Sequence, residues 1–195
     1  MQLTKKIQKA IDTASRLHFG QTRKNDATLP YIIHPFCVAW ILANYTEDES
    51  IIIAGLLHDT LEDVKNYRFN DLKEDFGEKI ALIVKEVSED KDPNFVIDEK
   101  ATWDDRKKGY IENLKNDNFE ALMVCAADKI HNLQSMNKAF SELGKKMWDE
   151  FNAPPEKTIW FYESVTKILN DRLDNEIIVV LNNELELFRK IIHKE

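Results

Sequence analysis

The stretch Ile51-Ile-Ile-Ala-Gly-Leu-Leu-His58-Asp59-Thr-Leu-Glu62-Asp63-Val64 decides how this chain is read. Its first seven residues, Ile51 to Leu57, carry no polar side chain and predict a helix buried on most sides. Such a helix cannot finish in His58, Asp59, Glu62 and Asp63 without partners, because a desolvated charge is costly unless it is paired. A cation is expected there. On a continued helix Glu62 falls one turn above His58 and Asp63 one turn above Asp59, while adjacent residues diverge by about 100°. His58 and Asp59 therefore reach one ion together only near a helix end, with further ligands arriving from other segments.

A second stretch repeats the device: Ala121-Leu-Met-Val-Cys-Ala-Ala127 leads straight into Asp128. A third ligand candidate, His34, precedes Pro35, whose fixed φ and missing N–H suit a first helical turn, so His34 is expected at the start of a helix over 35–45. Two imidazoles and two carboxylates form a mixed set that suits Mn²⁺, Fe²⁺ or Zn²⁺ better than Ca²⁺ or Mg²⁺ and leaves positions open. An ion held there would acidify a bound water and polarise a phosphoryl oxygen. Glu62 and Asp63 are the candidates to orient that water or take its proton.

Helical periodicity and a low content of glycine and proline, five of each, predict an all-α globule. Helices are expected over 2–19, 35–45, 51–64, from Asn70 or Asp71 to Phe76, over 78–87, from about Thr102 to Leu114, from Phe119 to Met136, and roughly over 155–170 and 174–192. Residues 21–30 read as a polar loop holding Arg23 and Lys24, and 88–101 as a solvated loop. The helix near 102–114 is expected to present a basic exposed face that includes Arg106 and Lys107. No linker, repeat or low-complexity tract divides the chain, so one domain over 1–195 is expected, with a motif-bearing core over about 2–136 and closing helices over about 137–192.

Lys plus Arg is 27 against 35 for Asp plus Glu, a net charge of −8, which argues against broad contact with nucleic acid or an anionic membrane. No apolar run approaches the ~18 residues of a membrane span and no signal peptide is visible, so the expected compartment is the cytoplasm. Cys37 and Cys125 sit in apolar surroundings and read as two buried thiols. Nothing in the pattern speaks to oligomeric state.

The order His34…His58-Asp59…Asp128 resembles the ligand set of the HD-domain metal-dependent phosphohydrolases. More narrowly, His58-Asp-Thr-Leu-Glu-Asp63, His18-Phe-Gly-Gln-Thr-Arg23-Lys24, Pro30-Tyr-Ile-Ile-His34-Pro35 and Ala127-Asp128-Lys129-Ile-His-Asn132-Leu133 are similar to the signatures of RelA/SpoT-type (p)ppGpp hydrolases, including free-standing small alarmone hydrolases. The resemblance spans residues 13–136. It implies His34, His58, Asp59 and Asp128 as ligands of one Mn²⁺, with Zn²⁺ or Fe²⁺ as alternatives, and Glu62 and Asp63 as the water-activating pair. Arg23 and Lys24 would lie along the guanine base, Lys129 and Asn132 would border the nucleotide, and Arg106 and Lys107, with Lys91, would meet the terminal phosphates. The implied reaction removes the 3′-pyrophosphate of (p)ppGpp, giving GDP or GTP and pyrophosphate. A second enzymatic reading keeps the metal and takes a nucleoside monophosphate or a dinucleotide 2′-phosphate. A reading of another class is a non-catalytic alarmone-binding sensor.

Overall fold

The computed structural model of the chain describes residues 2–23, 26–89 and 98–193. It is all-α apart from one small hairpin. Helix α1, Lys5–Leu17, opens on a Thr4 cap whose side chain accepts a hydrogen bond from the Ile7 N–H at 3.2 Å. The segment expected as a polar loop instead folds back on itself. Strand β1 (Thr22–Arg23) pairs antiparallel with β2 (Asp26–Pro30), and the Tyr31 N–H closes the hairpin on the Gln21 carbonyl at 2.9 Å. Side-chain alternation in so short and polar a ribbon left no period to read.

Helix α2 spans Ile33–Leu42, so His34 lies inside its first turn. Helix α3, Glu49–Leu57, is capped by Asp48, whose carboxylate accepts from the Ser50 N–H at 2.7 Å. Every residue from Ile51 to Leu57 is buried, as the apolar run requires, because α3 packs against α1, α2 and two later helices, α6 (Glu78–Val87) and α8 (Phe119–Leu143). The helix does not run on to Val64. The backbone leaves it at His58 and Asp59 and restarts as the short α4, Thr60–Asp63. Hydrogen bonds from Thr60 Oγ1 to the Leu57 carbonyl (2.6 Å), and between His58 Nδ1 and the Gly55 carbonyl (2.8 Å), use acceptors that a continuous helix would occupy.

Helix α5, Phe69–Phe76, starts two residues earlier than Asp71, whose carboxylate accepts from the Arg68 N–H at 2.8 Å. It stops at Gly77, whose φ of 91° is open to glycine at little cost, and α6 follows. Helix α7 (Trp103–Leu114) leads to α8, which extends past Met136 to Leu143, where Gly144 turns the chain with φ 58° into a 3-10 helix over Gly144–Glu150. Helices α9 (Pro155–Arg172) and α10 (Ile177–His193) close the fold, with α10 packed along α8. A hydrophobic cluster reaching from Ile7 to Phe188 surrounds α3 and the first half of α8, where Ala121 to Ile130 are buried without interruption. Trp160 is 40% exposed, whereas its neighbours Phe161 and Tyr162 are buried in that core. Cys125 is buried and Cys37 only partly so, and both are free thiols. Among the described residues no helix is long and apolar enough to cross a membrane.

Candidate metal centre and cleft

Three helices far apart in sequence deliver four side chains to one point. His34 comes from the first turn of α2, His58 and Asp59 from the break after α3, and Asp128 from the middle of α8. The break answers the question posed by adjacent residues. With Asp59 at ψ −5°, the chain turns and both side chains face the same centre, which a straight helix forbids.

The donor atoms lie close together. His34 Nε2 is 3.2 Å from His58 Nε2, 3.5 Å from Asp59 Oδ2 and 3.1 Å from Asp128 Oδ1, while His58 Nε2 is 3.1 Å from Asp59 Oδ2 and 3.7 Å from Asp128 Oδ1. Donors sharing an ion through bonds of about 2.0–2.2 Å stand roughly 2.8–3.6 Å apart, the span from octahedral to tetrahedral geometry. Four of the five spacings fall within that span and the fifth, His58 Nε2 to Asp128 Oδ1, lies just beyond it; His34, His58 and Asp59 form the tightest group, with Asp128 at its edge.

The tautomers fit as well. His58 Nδ1 faces the Gly55 carbonyl at 2.8 Å and must carry the proton, and His34 Nδ1 faces His131 Nδ1 at 2.7 Å. The His58 Nε2 is thereby turned toward the two carboxylates, the arrangement that a ligating histidine with its outer hydrogen bond adopts, and His34 takes the same arrangement when its Nδ1 is the donor to His131. Acceptors converging on acceptors demand a positive charge between them. The electrostatics carry the same demand: burial resists charge on His58, yet Asp59 and Asp128 hold its imidazole pKa well above the ordinary value. Burial works against ionisation of Asp59 too, but His58 keeps that carboxyl below its usual range, and Lys129 and His34 do the same for Asp128.

Around this centre opens a cleft of about 680 Å³ whose lining includes Arg23, Tyr31, Glu62, Asp63, Lys107, Lys129 and Asn132. Glu62 and Asp63 reach it from α4, not from the faces of a continued α3. Burial first, then Asp59, Glu89 and Asp63, push the Glu62 carboxyl up to about 8. Its Oε1 accepts the Glu89 N–H at 2.7 Å. Lys129 is buried, ion-paired to Asp128 Oδ2 at 2.6 Å, and stands 4.9 Å from the Tyr110 ring centre. Asn132, one turn beyond, donates to Asp128 Oδ1 at 2.6 Å and accepts from Arg23 Nη2 at 3.4 Å, so the hairpin is tied across the cleft to α8. The Arg23 guanidinium lies over the Tyr31 ring at 5.4 Å. Lys24 and Lys91 lie outside the described residues.

Arg106 and Lys107 are not on an exposed basic face. Both turn inward onto the Glu89 carboxylate, Arg106 through Nη1 and Lys107 through Nζ; the cleft lining includes Lys107 but not Arg106. An acidic partner from a preceding segment, invisible to local periodicity, reversed the expected face. Residue-by-residue reading also assigned nothing to Tyr31, whose hydroxyl donates to Asp59 Oδ2 at 2.6 Å, or to Gln21, whose Nε2 donates to the Asp63 carbonyl at 2.9 Å. Their place inside the quoted motif blocks was the available signal.

Residues 10–152 match the HD-domain family model. The chain belongs to the HD-domain family. This HD domain is 34% identical over 134 residues to the guanosine-3′,5′-bis(diphosphate) 3′-pyrophosphohydrolase MESH1 of Danio rerio, covering 68% of this chain and 69% of that protein. It is 36% identical over 132 residues to the GTP pyrophosphokinase of Streptomyces coelicolor, covering 68% of this chain but only 15% of the length of that relative. Among solved structures it superposes with TM-score 0.75 and 26% identity, over 97% of both chains, on a metazoan ortholog of SpoT that hydrolyzes ppGpp and plays a role in starvation responses.

Proposed function

We propose that this HD domain hydrolyses the 3′-pyrophosphate of (p)ppGpp to GDP or GTP and pyrophosphate, acting in the cytoplasm on the free nucleotide with one divalent ion, Mn²⁺, held by His34, His58, Asp59 and Asp128. The observation that carries the reading is the convergence of those four donors at 3.1–3.7 Å beside a cleft that also holds Lys107 and Lys129. The activity of MESH1 and of the metazoan SpoT ortholog supports the choice of substrate.

The ion, when bound, supplies Lewis-acid polarisation of a phosphoryl oxygen and a water acidic enough to attack at neutral pH. The protein does the rest. Glu62, at the cleft and with its carboxyl pushed up by burial, is the candidate to take the proton of the attacking water and return it. Asp63 adds a second carboxylate beside it, and Gln21 fixes its backbone. Attack of the water oxygen on the phosphorus attached to O3′ breaks that P–O bond. O3′ leaves with the electron pair and takes a proton, and the β-phosphate departs with the attacked phosphorus as pyrophosphate. In this reading Arg23, over Tyr31 and bonded to Asn132, lies along the base, and Lys107 and Lys129, both in the cleft lining, receive the phosphates. Incubating purified protein with Mn²⁺ and ppGpp should release pyrophosphate and GDP, and a nucleotide panel run in parallel reads specificity. No pyrophosphate from ppGpp, in protein that retains its metal, refutes the substrate assignment.

A further inference from the structure

Glu89 stands where the cleft needs cations, and it is an anion. Its carboxylate is almost closed off, with 8% of the side chain exposed, between Arg106 Nη1 on one oxygen and Lys107 Nζ on the other. The two cations differ in what else holds them. Arg106 is spent on further bonds, Nη2 to the Glu99 carbonyl at 3.0 Å and Nε to Thr102 Oγ1 at 3.3 Å. Lys107 lines the cleft and stands 4.6 Å from the centre of the Phe161 ring, with Lys129 at 5.6 Å from the same ring. The charge of Lys129 is already met by Asp128 at 2.6 Å. Lys107 is thus the sheltered cleft ammonium whose carboxylate partner is not itself a candidate metal ligand; Lys138, which also lines the cleft and pairs with Glu142 at 3.8 Å, has a side chain 72% exposed.

We propose that Glu89 tunes product affinity: it is a built-in counter-anion that competes with pyrophosphoryl groups for Lys107 and keeps the pyrophosphate product from being held too tightly to leave. The proposal rests on the pyrophosphohydrolase reading. Two ammonium groups against one ring in a sheltered cleft would bind a multiply charged anion strongly, and an internal carboxylate at the same ammonium offsets that attraction. The anchor from Glu89 to Glu62 runs through the main-chain N–H, so changing the side chain leaves it in place. The two roles of Glu89 can therefore be separated.

The test is calorimetric titration of inorganic pyrophosphate into the protein at fixed free Mn²⁺, for wild type, Glu89→Gln, Lys107→Met and the double variant, with melting curves to verify folding. Removing the charge of Glu89 should tighten pyrophosphate by about tenfold or more, as expected for deleting a like charge at contact range. Lys107→Met should weaken it, and in that background Glu89→Gln should bring back little of the gain. Weaker or unchanged binding in Glu89→Gln overturns the proposal, as does a gain that persists in full without Lys107. If Glu89→Gln does not fold, Glu89→Ala removes the same charge and is read by the same criterion. Wild type that turns over no ppGpp while the titrations behave as described sinks the substrate reading alone; normal turnover with no tightening sinks the Glu89 inference alone.

Discussion

Gly55 tests whether the packing of α2 on α3 sets the metal centre. A Cβ built there would come within 2.5 Å of Leu42 Cδ1, 3.4 Å of Val38 Cγ1 and 3.6 Å of the Ala39 Cα. Leu42 and Val38 are fully buried, so the leucine end has no open space to swing into. Gly55→Ala gains about 1 kcal/mol of helix propensity. Forcing a methyl group into a filled core costs about 1–3 kcal/mol. The net expectation is destabilisation by about 0–2 kcal/mol, a fall of up to roughly 8 °C in Tm for a chain of this size. Gly109, in α7, is the control, since a Cβ there meets nothing within 4 Å. Gly109→Ala collects the propensity alone and should stabilise by about 0.5–1 kcal/mol. Because α2 carries His34 and α3 ends at His58, Gly55→Ala should also weaken metal affinity by about tenfold, the loss typical of disturbed ligand support, and Gly109→Ala should not. Denaturant unfolding and metal titration of the two variants decide it. If Gly55→Ala proves as stabilising as Gly109→Ala and keeps its metal affinity, the contact has slack and the packing argument fails.

Asp59→Ala and Asp128→Ala should each lose bound metal and turnover, whereas Glu62→Ala should keep the metal and lose about 10²-fold or more in rate. Equal metal loss in all three contradicts the division between ligands and proton carrier. Tyr31→Phe removes the hydroxyl on Asp59 while keeping the ring under Arg23, and should lower metal affinity by about 10-fold with little change in Tm; unchanged affinity would mean that Asp59 needs no such support. Away from the cleft, burial and then Glu86 push the Asp117 carboxyl up to about 7, against the pull of Arg172. The folded state therefore holds a proton that the unfolded chain gives up near 3.8, so stability falls as pH rises from about 4 to about 7 and levels off above. Asp117→Asn should gain stability over wild type progressively across that window, and a difference independent of pH would show that Asp117 ionises freely.

Much of this was legible in the residues alone. An unbroken apolar run such as Ile51–Leu57 or Ala121–Ala127 has no stable place in water except inside a core, and the polar residues that end it must then be partnered, whatever the fold. That reasoning pointed to His58, Asp59 and Asp128 as candidates because burial and charge are properties each segment carries locally, while His34 stood out through Pro35 and its motif block. What local pattern does not carry is the backbone break at His58–Asp59, which depends on side chains competing for helix carbonyls, or the inward turn of Arg106 and Lys107, which depends on Glu89 arriving from a segment some 17 residues earlier. Periodicity ranks the faces of one helix; which face meets an opposite charge is settled only when distant elements pack, and that step decided the phosphate end of this cleft.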